Sequence, residues 1–340
     1  MKIWTHVDRF QKDSRQPLFL AMGNFDGLHL GHQRILRNVA EEAKRGKGVS
    51  TVLSFFEHPQ KVLGRSHEPA LLTSTQHRLF LFYEMGIELC FLLHFTLPFS
   101  KTQPAEFVKN ILVERLGVRQ VRMGYNAHFG VGRRGDSEVM RNLAQRLGFS
   151  FHEEEPVKVG DEFVSSTLIR RMIANGELER AQTFLGRPLS IFASVVRGRG
   201  RGKGLGFPTA NLRPHSEILP PPGVYAVEVR EKLYHLRPLS GTSEFEYVLE
   251  QPGKWYQGVL NFGFRPTFGL QHEGPVPEVY LFGFEGNLYG KTLEVIFRSK
   301  IREEVQFQDG GALAKAAQKD VEHAKEYFRA SAPHDPRGPQ

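Results

Sequence analysis

The sequence predicts an α/β module built on a doubly wound parallel sheet, then a small antiparallel β-barrel closed off by a C-terminal helix. Three observations carry that expectation. The first half alternates buried apolar runs with an amphipathic stretch in the order strand, helix, strand. After about Gly186 the rhythm changes to short β-rich runs separated by Gly, Pro and charged residues. The length, 340 residues, is that of about two ordinary domains.

In the first half, Leu18 to Met22, Val49 to Phe55, Ile87 to Phe95 and Val118 to Gly124 read as buried strands. Leu30 to Ala43 reads as a helix because Ile35, Leu36, Val39, Ala40 and Ala43 recur at helical spacing. Ligands of such a sheet belong at the carboxyl ends of its strands. In the second half, Ile191 to Val196, Val224 to Val229, Tyr256 to Leu260, Glu278 to Phe284 and Leu293 to Phe297 read as barrel strands. Glu231 to Lys254 is polar and long for a connection, which predicts a surface excursion with little regular structure. The last helix is expected over Ala312 to Arg329 as a packing element, with Leu313, Ala317, Val321, Ala324 and Phe328 on one face. The expected modules are 1–186 and 187–330, followed by a disordered tail, 331–340, rich in Pro and Gly.

Composition narrows the partners. Hydrophobic residues at 40% and charged residues at 24% exclude wholesale disorder and coiled coil. The formal charge of +8 suggests an anionic partner, yet 1–186 has 25 basic and 20 acidic residues and 187–340 has 20 and 17, so neither half is a basic tail. The charge is local instead. Four basic residues lie from Arg197 to Lys203, and no acid occurs from Arg180 through Ser216. A single cysteine, Cys90, excludes an intrachain disulfide and a Cys-based zinc site, and a reducing cytoplasm fits best. No run reaches the roughly 18 apolar residues of a membrane span, and Met1 to Asp13 is charged where a signal peptide is apolar, so a cytoplasmic protein without a membrane partner is expected.

The first chemical constellation directly follows the strand Leu18 to Met22: Gly23-Asn24-Phe25-Asp26-Gly27-Leu28-His29-Leu30-Gly31-His32, leading into the helix. Gly23 and Gly27 allow a tight turn, and the N–H groups and positive dipole end of the helix attract phosphate. His29 and His32, three apart, can share one face of the first turn and donate to phosphate oxygens, while Gly31 keeps space open for a nucleotide. A metal site is the competing reading, but no third ligand stands at a suitable spacing. Ser165, Ser166 and Thr167 lead into another helix as hydroxyl donors, again a phosphate-binding arrangement, and Arg170 adds a positive charge beside them in sequence. An ordinary helix cap is the plainer reading of Ser-Ser-Thr.

The second constellation runs from Val196 to Asn211 as VRGRGRGKGLGFPTAN. An RGG-type nucleic-acid-binding segment is one reading, but this string is short and runs directly into a structured one. A phosphate-covering loop fits better: Gly202, Lys203, Gly204 and Gly206 bring backbone N–H groups and a charge to the phosphates, Pro208 ends the loop, and Thr209 and Asn211 offer oxygens to Mg²⁺ from one face. Glu278 heads one of the expected strands, where a Glu is usually just solvated.

The string GNFDGLHLGHQ resembles the FMN adenylyltransferase module of prokaryotic bifunctional riboflavin kinase/FAD synthetases, a Rossmann-like nucleotidyltransferase domain. Supporting strings follow in the family's order: Phe55-Phe56-Glu57-His58-Pro59, Gly124-Tyr125-Asn126-Ala127-His128-Phe129-Gly130 and Ser165-Ser166-Thr167-Leu168-Ile169-Arg170. The string GFPTAN resembles the riboflavin kinase signature, with Gly223-Val224-Tyr225-Ala226-Val227 and Glu278-Val279-Tyr280-Leu281 downstream. The resemblance spans roughly Leu18 to Phe328. It implies riboflavin, FMN and ATP as the partners, with Mg²⁺ and without nucleic acid or membrane. The second module would make FMN from riboflavin, with Glu278 as base and Thr209 and Asn211 at Mg²⁺. The first would then make FAD, with His29, His32 and Arg170 on the reacting phosphates. The resemblance also implies flavin-side contacts from Asn126, Phe129 and Arg302. The family usually has Asp at Asn126, Gly283 and Asn287, and an enzyme with one working module is the alternative that these departures suggest.

Overall fold

The computed structural model describes residues 1–10, 16–64, 70–197, 207–215, 217–231, 234–239, 244–249, 253–263 and 276–331. Gly202, Lys203, Gly204, Gly206 and the tail 332–340 lie outside the described residues. The chain divides into two compact units. The first is Met1–Pro69, Thr75–Ser166 and Tyr234–Glu250, and the second is Ala70–Ser74, Thr167–Leu233 and Gln251–Gln340. Compactness therefore groups residues 167–186 with the barrel, whereas a single cut at residue 186 leaves them with the sheet.

The first unit is built on β1 (Lys2–Trp4), β2 (Leu18–Met22), β3 (Val49–Phe55), β4 (Leu89–Leu93), β5 (Val118–Gly124) and β6 (Ser150–Glu154). They pair in parallel in the order β1-β4-β3-β2-β5-β6. All five residues of β2 and of β4 are buried, as expected of strands covered on both faces. The helix Leu30–Arg45 follows β2 and buries Ile35, Leu36, Val39 and Ala43, and Lys44 and Arg45 in its last turn suit the negative end of its dipole. Arg122 on β5 fastens that helix to the sheet: Nη2 donates to Glu42 at 2.6 Å, and the same guanidinium reaches Glu154 on β6. Cys90 is fully buried, which pushes its thiol up to about 12, and it acts as a packing residue. A small antiparallel pair, β7 (Lys158–Val159) and β8 (Glu162–Phe163), precedes the helix Ser166–Ala174.

The remaining strands are β9 (Ser190–Val196), β10 (Ala210–Pro214), β11 (Gly223–Glu231), β12 (Tyr234–Pro238), β13 (Glu244–Leu249), β14 (Tyr256–Gly263), β15 (Val276–Leu281) and β16 (Thr292–Arg302). Six of them close into an antiparallel barrel, β10-β15-β14-β11-β16-β9, leaving no open edge. Tyr225, Leu260 and Val279 are in register across three strands and fill the interior, while Val224, Ala226 and Val259 pack under Val321 and Ala324 of the helix Gly310–Ala330. The C-terminal helix is thus where the sequence places it, although Leu313 is exposed. Among the described residues no helix is long and apolar enough to cross a membrane.

The segment read as an irregular excursion is instead a β-hairpin. Strands β12 and β13 pair with each other, and β13 runs antiparallel to β1, which extends the parallel sheet to eight strands. Its anchor is Tyr247, buried against Tyr83 with ring centroids 5.5 Å apart. Because the partner strand lies more than two hundred residues away, neither β1 nor the hairpin has a local signal beyond a few apolar residues.

The barrel also buries charge. Arg230 Nε donates to Glu294 at 2.8 Å, the Arg230 guanidinium lies 4.4 Å from the Trp255 ring centroid, and Arg187 is pushed down to about 10 by burial, with Glu294 partly offsetting it. Glu294→Ala therefore strands buried positive charge and is expected to destabilise the barrel by about 3–5 kcal/mol. Urea unfolding followed by Trp255 fluorescence in a Trp4→Phe background measures this, and a change under 1 kcal/mol would show the pair to be dispensable.

Candidate active site

At the carboxyl end of β2 the chain makes a tight loop whose shape is unusual for its residues. Gly23 N–H donates to Leu53 O at 3.2 Å. Gly27 has φ +85°, and the non-glycine residues Phe25 and Leu28 have φ +53° and +39°, a region that costs each of them about 1–3 kcal/mol. Burial offsets this strain. The Phe25 ring is almost wholly enclosed and packs edge-on against His32 at 5.3 Å and Phe82 at 5.7 Å. Phe25 is thus a support beneath the loop. A Cβ at Gly23 would lie 3.3 Å from that ring, and one at Gly31 would lie 3.3 Å from His29, so both positions favour glycine.

The loop delivers the two histidines together. His29 caps the helix Leu30–Arg45, its Nδ1 accepting from His32 N–H at 3.4 Å. In the neutral ring the proton is then on Nε2, the nitrogen suited to donate to an anion. The two imidazoles stack with centroids 3.6 Å apart and planes 17° apart. Ser166 joins them from the first turn of its own helix, its Oγ donating to Asp26 O at 2.9 Å. Asn24 O accepts from Ser54 Oγ at 3.3 Å and from Arg78 Nη1 at 2.8 Å. The stacked histidines, the loop from Gly23 to Gly27 and the Ser165–Ser166 segment therefore form one cluster at the carboxyl ends of β2 and β3.

Other residues of this set have different surroundings. Asn126 is exposed in the turn after β5, where Ala127 N–H donates to Gly124 O at 2.9 Å. The Phe129 ring belongs to the core, 5.8 Å from Phe107, and would clash with any Cβ at Gly135. Arg170 Nε donates to Ala70 O at 2.7 Å.

On the barrel, Asn211 of β10 lies opposite Glu278 of β15, Glu278 opposite Asn261 of β14, Asn261 opposite Val224 of β11, and Val224 opposite Arg302 of β16. Residues directly opposite share a face, so this is one row on the face that the C-terminal helix covers. Thr209 Oγ1 donates to Glu278 Oε2 at 3.4 Å, and Asn211 is buried. Thr209, Asn211 and Glu278 thus gather hard oxygen donors that fit Mg²⁺. Among the described residues no cluster of three His, Cys, Asp or Glu side chains could hold a metal. An ion here would need phosphate oxygens and water to complete its shell, the usual manner for Mg²⁺.

Arg302 ends the row in a clasp. Its Nε and Nη2 donate to the two oxygens of buried Asp320 at 2.8 and 2.7 Å, and Nη1 donates to Glu303 O at 2.9 Å. Asp320 lies on the C-terminal helix, which the sequence marks only as a packing element. Its helical position among Lys319, Val321 and Glu322 looks like that of any solvated acid, so only the tertiary partner reveals it. Arg78, in the helix Thr75–Glu84, escapes sequence reading for the same reason.

Comparison with known proteins matches both modules. A family model described as FAD synthetase matches residues 11–168, and one described as riboflavin kinase matches residues 185–328. A bifunctional riboflavin kinase/FMN adenylyltransferase from Haemophilus influenzae is 34% identical over 310 residues, covering 91% of this chain and 94% of the relative. The protein of the same description from Escherichia coli K12 is 30% identical over 334 residues, covering 98% and 100%. A crystal structure described as a macrolide-efflux protein from Streptococcus pneumoniae has the same fold, with a TM-score of 0.77 and 26% identity over 97% of this chain and 99% of that one. With both modules matched in order and relatives aligned over nearly their whole length, the chain belongs to the bifunctional riboflavin kinase/FMN adenylyltransferase family.

Proposed function

We propose that the barrel transfers the γ-phosphoryl group of ATP to the 5′-hydroxyl of riboflavin, giving FMN and ADP, and that the sheet module joins FMN to AMP from a second ATP, giving FAD and pyrophosphate. The observation that carries this reading is the pair of sites itself. Stacked His29 and His32 stand at a helix N-terminus, and Glu278 stands in one row with Thr209 and Asn211.

In the kinase step, Glu278 accepts the proton of the riboflavin hydroxyl as its oxygen attacks the γ-phosphorus and the bond to the β-phosphate oxygen breaks. Thr209 and Asn211 would hold Mg²⁺, which when bound offsets phosphate charge. The loop containing Gly202, Lys203, Gly204 and Gly206 would cover the phosphates. In the second step a phosphate oxygen of FMN attacks the α-phosphorus, and the bond to the pyrophosphate oxygen breaks. His29 and His32 donate to oxygens that gain charge in the transition state, Arg170 offsets charge on the leaving pyrophosphate, and Gly23 to Gly27 with Ser165, Ser166 and Thr167 seat the nucleotide. Asn126 contributes to the flavin side of this site, whereas the Phe129 ring, which the resemblance also puts there, is engaged in the core. No covalent enzyme intermediate is required.

Incubation with riboflavin, ATP and Mg²⁺, followed by chromatography, is expected to give FMN and FAD together with ADP and pyrophosphate. FMN alone would leave one working module, and neither flavin product would overturn the reading. Arg302 serves riboflavin with three of its five N–H donors already engaged, so Asp320 sets its position. Asp320→Ala is expected to raise the KM for riboflavin at least about tenfold, or 1.4 kcal/mol, with FAD formation from supplied FMN unchanged. An unaltered KM would remove Asp320 from the site.

A further inference from the structure

We propose that Arg78 is a positioning residue for adenylyl transfer: it fixes the loop that presents His29 and His32 without itself touching the substrate. The proposal rests on the function proposed above, which assigns that reaction to this loop. Arg78 is 5% exposed, and its guanidinium reaches the chain at two strand ends. Nη1 donates to Asn24 O at 2.8 Å, just beyond β2, and Nη2 donates to Phe55 O at 2.7 Å, the last residue of β3. Nη2 also lies 3.4 Å from Thr75 Oγ1 at the start of its own helix. One buried side chain therefore bolts together the two carboxyl ends at which an α/β sheet binds its ligand.

The loop needs such a bolt. Phe25 and Leu28 sit in a backbone region that L residues avoid, so a relaxed alternative is always nearby. Were Asn24 to shift, Phe25 would move with it, and the Phe25 ring packs against His32. His29 would lose its cap on His32 N–H at the same time. Each link from Arg78 to the imidazole pair is a contact described above.

Arg78 also carries a cost that packing alone does not explain. Its Nε is buried with no hydrogen-bond partner among the described residues, and burial pushes the guanidinium below its ordinary value, with the charge of Asp26 offsetting part. An apolar side chain would fill the same space without desolvating a charge. Two carbonyls at defined positions are what the arginine adds.

Arg78→Met is expected to lower kcat for FAD formation from supplied FMN by about 10²-fold, the effect of an ångström-scale misplacement of catalytic groups. The KM for ATP should change less than threefold, and FMN formation from riboflavin should stay at the wild-type rate. Arg78→Lys keeps the charge but reaches fewer carbonyls. It should remain folded at the assay temperature and fall between the two in kcat, so it decides the matter if the methionine variant does not fold. Three results would each overturn the proposal: an unchanged kcat in both variants, a KM for ATP that rises while kcat holds, or a loss of FAD formation that only tracks the unfolded fraction. Failure of the wild-type protein to make FAD from FMN would instead overturn the functional reading, so the two failures are distinguishable.

Discussion

Replacing His32 by alanine is expected to lower FAD formation from FMN and ATP by about 10²–10³-fold while FMN formation from riboflavin continues at the wild-type rate. The expectation follows from where the ring sits. His32 lies in the first turn of the helix Leu30–Arg45, stacked on His29 at 3.6 Å, so the two imidazoles are held as a unit at the helix N-terminus. A donor aimed at charge that develops only in the transition state lowers kcat when lost, and the KM for ATP should move little. His29→Ala should cost more than the loss of one donor, because Nδ1 of His29 also caps the helix, a contribution of about 1 kcal/mol. Assaying the two half-reactions separately, with FMN supplied for the second, measures both effects in one preparation. A normal rate of FAD formation by the His32→Ala protein would sink the assignment of adenylyl transfer to this loop.

These histidines can be found from the sequence because their context is local. A buried strand, two turn glycines and an amphipathic helix lie within about thirty residues, and each part has its own periodicity. The bounds of β2, β3 and β5 are also those the sequence suggests: β2 is a continuous apolar run, as a strand covered on both faces should be, while β3 and β5 keep enough buried apolar residues to be found despite Ser50, Thr51, Arg119 and Arg122. Residues that act through distant partners are silent. Arg78 and Asp320 look like ordinary charges on amphipathic helices, and only the carbonyls of Asn24 and Phe55 or the fork of Arg302 give them meaning. Strand β1 and the hairpin of β12 and β13 are silent for a related reason: β13 meets β1 only across more than two hundred residues of chain. Ring roles divide similarly. Phe25 and Phe129 fall inside motif strings, yet the Phe25 ring supports the loop and the Phe129 ring fills the core.

Glu278→Ala is expected to produce the reverse phenotype, with FMN formation lowered by about 10²–10⁴-fold, the range of a lost general base, and FAD formation from supplied FMN unchanged. The alanine variant alone cannot separate a proton acceptor from a carboxylate that merely steadies Thr209 or adds charge near Mg²⁺. Glu278→Gln can. Its amide oxygen can still accept from Thr209 Oγ1, which lies 3.4 Å from Oε2, and it preserves the side-chain volume between Asn211 and Asn261, but it has no carboxylate to take a proton. If Glu278 is the base, the glutamine variant should be nearly as slow as the alanine variant at every Mg²⁺ concentration. A carboxylate needed only for its charge would give a rate that high Mg²⁺ restores, and one needed only to hold Thr209 would give a glutamine variant close to wild type. Proton acceptance is the property that removing the charge while keeping the shape must abolish, so the glutamine variant, more than the alanine one, tests what Glu278 does.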